Sequence, residues 1–178
     1  MKTWLALFLF FGFNCFAQDK SPDAMRASMP SKEEISELLS KAEEKVSGFE
    51  QAMKAVKPTL DRIDSSITSK GLDGASTAHT VIRAAQKNGP TGYGLVVLVV
   101  TLDDLNSNAL RGALLLASED RNRIVTGGRP DPNLPSNVLA LSNAGNACND
   151  MAELIVHATL RYLGVEEAVL GQLLDSKK

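Results

Sequence analysis

The sequence predicts an all-α fold, a bundle of three long and two short helices with antiparallel neighbours. Apolar residues recur at steps of three and four along most of the chain, and one run keeps that spacing from Ile35 to Ile67 without a slip. Glycine and proline clusters punctuate the runs where helices should end. The one apolar stretch that would read as a strand, Leu95 to Val100, has no partner segment elsewhere, and a lone strand is unstable in water.

The chain opens with "MKTWLALFLFFGFNCFAQDK", in which Lys2 precedes an apolar run from Trp4 to Phe13 and Ala17 follows Cys15. A basic start, a short apolar stretch and small residues before a cut are the parts of a secretory signal peptide. Residues 1–17 are therefore expected to be removed between Ala17 and Gln18, which predicts a secreted or periplasmic protein. A membrane anchor would need about 20 apolar residues, more than this run supplies. A lipid anchor at Cys15 would want a small residue before the cysteine, where Asn14 stands. Residues 18–30 carry Pro22 and Pro30 without periodicity and read as a flexible N-terminal segment. Residues 31–178 read as a single helical-bundle domain.

Loss of the leader removes Cys15 and leaves Cys148 as the only thiol, so no internal disulfide is expected. Loss of Lys2 takes the formal charge from −2 to −3. With that charge and no basic stripe, nucleic acid is not an expected partner. Aromatic residues make up 5% of the chain, too few for a platform that stacks bases or sugars.

"SKEE" predicts the start of the first helix, with Ser31 as cap and Glu34 reaching back to it. Ile35, Leu39, Ala42, Val46, Phe49, Met53, Val56, Leu60, Ile63 and Ile67 then form a coiled-coil-like seam. The residues flanking it do not alternate in charge, so an antiparallel bundle fits better than a free-standing coiled coil. Pro58 falls opposite the seam, where a bend is tolerated better than a break. "SKGLDGAST" reads as the first loop. "AHTVIRAAQ" reads as a short amphipathic helix, with His79 on its polar face, stopped by "NGP" at Asn88 to Pro90.

From about Gly94 to Glu119 the positions Leu95, Leu98, Leu102, Leu105, Ala109, Gly112 and Leu116 predict one long helix. Its first turns are apolar all round, so Leu95, Val96, Val97 and Val100 are a candidate interaction surface. Asn106 interrupts the apolar side of the same helix, as a register device or as the lining of a small polar pocket. "RNRIVTGGRPDPNLP" reads as a loop. A fourth helix is expected from about Ser136 to Leu163, ending at Gly164, and a short fifth helix would place Val165, Val169, Leu170, Leu173 and Leu174 on its apolar side.

Within the fourth helix "NAGNACND" divides into two sides. Asn143, Asn146 and Asp150 face away from the core, Cys148 points into it, and Gly145 admits a close neighbour. Asp150, Glu153 and His157 carry metal-ligand chemistry, but as a single Glu-x-x-x-His on the polar face. Bundle metal sites draw inward-facing ligands from several helices. "GYGLVV" lacks the third glycine of a dinucleotide fingerprint, and "TGGRP" with Arg129 reads as a turn rather than an anion cradle. The chain has no Walker loop, paired Cys-x-x-Cys, His-Glu-x-x-His or Gly-x-Ser-x-Gly. No catalytic residue, metal site or cofactor is expected. The pattern predicts an interaction module that binds another protein or itself. The alternative is a carrier holding a small hydrophobic ligand between helices near Asn106.

Overall fold

The structure, a computed structural model, describes residues 30–162. The expected signal peptide, all but the last residue of the 18–30 segment and the expected fifth helix lie outside the described residues. Among the described residues there is no strand, and three helices pack against one another: α1 (Lys32–Asn88), α2 (Gly92–Val125) and α3 (Leu134–Tyr162). The expected count of five is not matched among the described residues, where the first two expected helices form one element that folds back on itself.

Helix α1 starts at the expected cap, where the Glu34 N–H donates to Ser31 Oγ at 3.0 Å. The Glu34 carboxylate, expected to turn back toward the cap, instead accepts from Arg161 Nη1 of α3 at 2.8 Å. The predicted seam is the buried side: Ile35, Leu39, Ala42, Val46, Phe49, Met53, Val56, Leu60 and Ile67 are all core, and Ile63 is half-buried. Pro58 is exposed and the helix continues past it, since the solvent side has room for the bend.

The chain breaks its helical path at Asp64, whose φ of −155° and ψ of 95° are extended. Beyond Asp64 the second arm of α1 runs back along the first. On a straight helix residues 43 and 79 would stand about 54 Å apart, yet His79 Nδ1 lies 2.9 Å from Glu43 Oε1. Asp64 acts as a cap for the returning arm, its Oδ1 accepting the Ser66 N–H at 3.0 Å. Thr68, buried just beyond, donates to Ser65 O at 2.9 Å and also bonds Asp61.

The turn thus comes earlier than expected, and "SKGLDGAST" is helix rather than loop. Its glycines serve packing. A Cβ at Gly71 would lie 2.9 Å from Met53 Cε and 3.3 Å from Phe49 Cζ, and one at Gly74 would lie 2.9 Å from Leu105 Cδ2. Close approach between the arms, and between the returning arm and α2, requires those missing atoms.

Gly89, at φ 87°, ends α1 as the "NGP" signal implies. Helix α2 starts before the expected Gly94 because Thr91 caps it, its Oγ1 accepting the Gly94 N–H at 3.0 Å. It also runs past Glu119 to Val125, so Arg121 to Val125 belong to helix rather than to the expected loop. Asp120 supports this extra length: it pairs with Arg123 at 2.6 Å and accepts the Asp131 N–H at 2.9 Å, which ties the α2–α3 loop down. Gly127, at φ 86°, turns the chain away.

Helix α3 lies antiparallel to α2. A Cβ at Gly112 would meet Leu141 Cδ2 at 3.0 Å, and one at Gly145 would meet Ala109 Cβ at 2.5 Å, so position falls along α2 as it rises along α3. The α3–α1 contacts, Cys148 Sγ to Lys45 O and Arg161 to Glu34, run antiparallel to the first arm in the same way. Three helices therefore make a four-rod cross-section, up-down-up-down, with the starts of α1 and α2 and the ends of α1 and α3 at one end.

Candidate functional site

Helix α2 has two apolar sides, and only one is used within the described residues. The inner side, Leu95, Leu98, Leu102, Leu105, Ala109, Gly112, Ala113 and Leu116, is core. The outer side presents Tyr93 at 82% exposed, Val100 at 53%, Leu110 at 44% and Leu114 at 71%. Tyr93, Val96, Val100, Ser107, Leu114 and Val125 recur at helical spacing, with Asp103, Asp104, Arg111 and Arg121 among them. A helix with one saturated face and a second apolar stripe has surface left over for a partner.

Of the expected interaction residues, Leu95 is core, Val96 and Val97 are half-buried and Val100 is exposed. The exposed apolar stripe thus differs from the expected residues: Leu95 is not part of it, while Tyr93, Leu110 and Leu114 are. Periodicity could have found these three. They hold the three-four spacing opposite the seam, masked by the polar residues between Val100 and Leu110.

Asn106 lies half-buried where α2 meets α3. A Cβ on Gly145 would come within 3.1 Å of Asn106 Oδ1, and that oxygen is buried with no hydrogen-bond partner among the described residues. The glycine opposite brings the helices close at the polar seam residue. Two surface depressions flank the start of α1. One, of about 580 Å³, is lined by Lys32, Glu33, Ser36, Glu37 and Ser40. The other, of about 320 Å³, lies between α1 and α3 and includes Leu38, Leu154, His157 and Arg161. Asn106 lines neither.

The side-chain cluster that sequence reasoning missed joins the arms of α1. His79 is 14% exposed, with Nδ1 at 2.9 Å from Glu43 Oε1 and Nε2 at 3.4 Å from Glu50 Oε2. Arg83 stands 3.9 Å from Glu43, and Lys54 holds the other Glu50 oxygen at 2.6 Å. The Lys54 ammonium, which hydrogen-bonds that carboxylate, is the main reason the Glu50 carboxyl titrates below its ordinary value. Both ring nitrogens of His79 stand near carboxylates of the first arm, Nε2 within hydrogen-bond reach of Glu50 and buried Nδ1 close to Glu43 but without a hydrogen bond among the described residues, so the ring packs between the arms. The signal was faint: Glu43 and Glu50 are seven apart beside the seam, but pairing them with His79 requires knowing that the chain reverses.

Cys148 is fully buried, with Sγ at 3.9 Å from Lys45 O, and burial pushes its thiol up to about 12. At neutral pH it holds no thiolate for chemistry or exchange. Asp150 and Glu153 are exposed on α3, and His157 lines the α1–α3 depression. Among the described residues no three His, Cys, Asp or Glu side chains stand close enough to share a metal ion. Arg129 is exposed in the loop between α2 and α3. Compared with protein-family models, curated proteins and solved structures, the chain matches none.

Proposed function

We propose that the chain is an exported, non-catalytic interaction protein that presents the outer side of α2 to another protein chain. The apolar stripe Tyr93, Val100 and Leu114 carries the reading, because these side chains stay in water on a helix whose opposite face already fills the core. Leaving a large apolar side chain in solvent forgoes about 1.5–3 kcal/mol of burial, which a docked partner recovers. Export rests on the pattern of residues 1–17. No described helix is long and apolar enough to cross a membrane.

A photo-crosslinking amino acid at Val100, compared in exporting cells with the same probe at exposed Ser40 on α1, tests the reading. A discrete crosslinked protein is expected at Val100 and not at Ser40. Equal or absent crosslinking at both positions overturns it. A small hydrophobic molecule that co-purifies stoichiometrically, seen by native mass spectrometry, would favour the carrier alternative instead.

A further inference from the structure

We infer that the protein docked on this side of α2 is a second copy of the chain, laid antiparallel about a two-fold axis through Ser107. The inference rests on the interaction reading above and names its partner. The ground for it is how the stripe maps onto itself.

In an antiparallel two-fold pair, each step before the axis on one helix meets the same step after it on the other. Val100 lies seven residues before Ser107 and Leu114 seven after, so the two most central apolar residues face one another, twice. Asp103 lies four before and Arg111 four after, which sets a carboxylate against a guanidinium on each side of the axis. Tyr93 and Arg121, fourteen residues either side, bring a ring and a guanidinium together at each rim. Ser107 itself is small, so the helices can approach closely where they cross. Neither Asp103 nor Arg111 forms an ion pair among the described residues, although the Arg111 charge is felt at Asp64. Leu110 falls at the margin of the stripe, beside the partner's Asp104, and contributes least.

Other arrangements of the same stripe are worse. A parallel pair stacks Asp103 on its own copy and Arg111 on its own copy, and like charges brought together disfavour it. Moving the axis half a heptad toward the helix start sets Val100 against the partner's Ser107 and Val96 against the partner's Arg111. Moving it as far the other way sets Val100 against the partner's Arg121 and Leu114 against the partner's Ser107. Of these arrangements, the axis at Ser107 alone puts apolar on apolar and acid on base together.

The test uses the mature protein. Light scattering across a concentration series should give a dimer. Leu114→Glu should give a monomer with unchanged helical circular dichroism. Arg111→Asp and Asp103→Arg should each weaken the dimer by about tenfold in Kd, and the two together in one chain should restore it. Ser107→Cys should form a disulfide-linked dimer under mild oxidation, while Ser40→Cys should not; buried Cys148 does not interfere. A monomer at every concentration, or a dimer indifferent to both Leu114→Glu and the charge swap, overturns the inference. A monomer whose Val100 probe still captures a different protein overturns it while keeping the interaction reading. A monomer in which cysteine-probe reactivity at Val100 appears only after removal of residues 163–178 assigns the face to the chain's own tail and also overturns it.

Discussion

Two junctions in this bundle hold helices together in different ways. Where α2 meets α3, approach is set by missing atoms: Gly145 sits where a Cβ would be 2.5 Å from that of Ala109, and Gly112 where a Cβ would be 3.0 Å from Leu141. Where the arms of α1 meet, Gly71 likewise lets Met53 and Phe49 come close, but polar side chains are added, with His79 between Glu43 and Glu50. The first junction is specified by shape and leaves no slack. The second adds chemistry on long side chains to close packing, and such pairs can adjust. Substitutions at the two should therefore differ in size more than their burial alone would suggest.

The largest effect is expected at Gly145. The atom a new side chain would strike is the methyl of Ala109, fixed to backbone, so the helices themselves must separate. Gly145→Val should cost about 3 kcal/mol or more, at the upper end of overpacking, measured by denaturant unfolding. Gly48 gives the contrast, because nothing lies within 4 Å of its would-be Cβ and it is exposed in the middle of an arm. Gly48→Ala should stabilise by up to about 1 kcal/mol. If Gly48→Ala and Gly145→Val shift stability in the same direction, shape does not govern the α2–α3 junction.

At the polar junction, His79→Ala removes the ring that stands between the Glu43 and Glu50 carboxylates. A loss of about 1–2 kcal/mol is expected, and a double-mutant cycle with Glu43→Gln should show coupling of at least about 0.5 kcal/mol. Additive effects would mean that His79 acts by packing alone. Cys148→Ser belongs to a third junction, α1 with α3, and should cost about 1 kcal/mol by placing a hydroxyl in an apolar site. In the native protein the Cys148 thiol should resist a disulfide reagent at pH 8 and react only on unfolding. Rapid native labelling would contradict its burial.

The contrast between the junctions also explains what could be read in the sequence. The seam from Ile35 to Ile67 and the inner side of α2 were legible because a buried helical face repeats with the helix. Gly145 was legible as a close-packing glycine because Cys148 and Leu141 fix its phase. Gly71 and Gly74 were not. Beside serine and threonine they resemble a loop, and only the reversal of the chain brings Met53, Phe49 and Leu105 against them. The reversal was hidden because Ile63 and Ile67 keep the seam spacing across it. The available clue was Asp64-Ser65-Ser66 ahead of Ile67, a capping signature inside an apparently continuous helix. The outer stripe of α2 was half legible: its first turns stood out as apolar all round, while Leu114 had no expected role until the core left it outside.

The smallest predicted effect tests that corner. Hydrogen bonds from Ser66, its hydroxyl first and then its backbone N–H, with smaller help from Arg111 and Lys70, hold the Asp64 carboxyl below its ordinary value. A carboxyl depressed in the folded state contributes stability that is complete above the unfolded pKa, near 3.9, and is lost as pH falls through the folded value. Asn at this position can still cap the returning arm but carries no charge. Asp64→Asn should therefore be slightly less stable than the parent at pH 7, and the gap should close as the pH is lowered below the ordinary carboxylate range. Denaturation midpoints of the two proteins from pH 7 to pH 3 measure it. A gap that stays constant over that range would mean that the Asp64 charge plays no part at the corner, and that the reversal depends on cap geometry and on the packing of Gly71 and Gly74 alone.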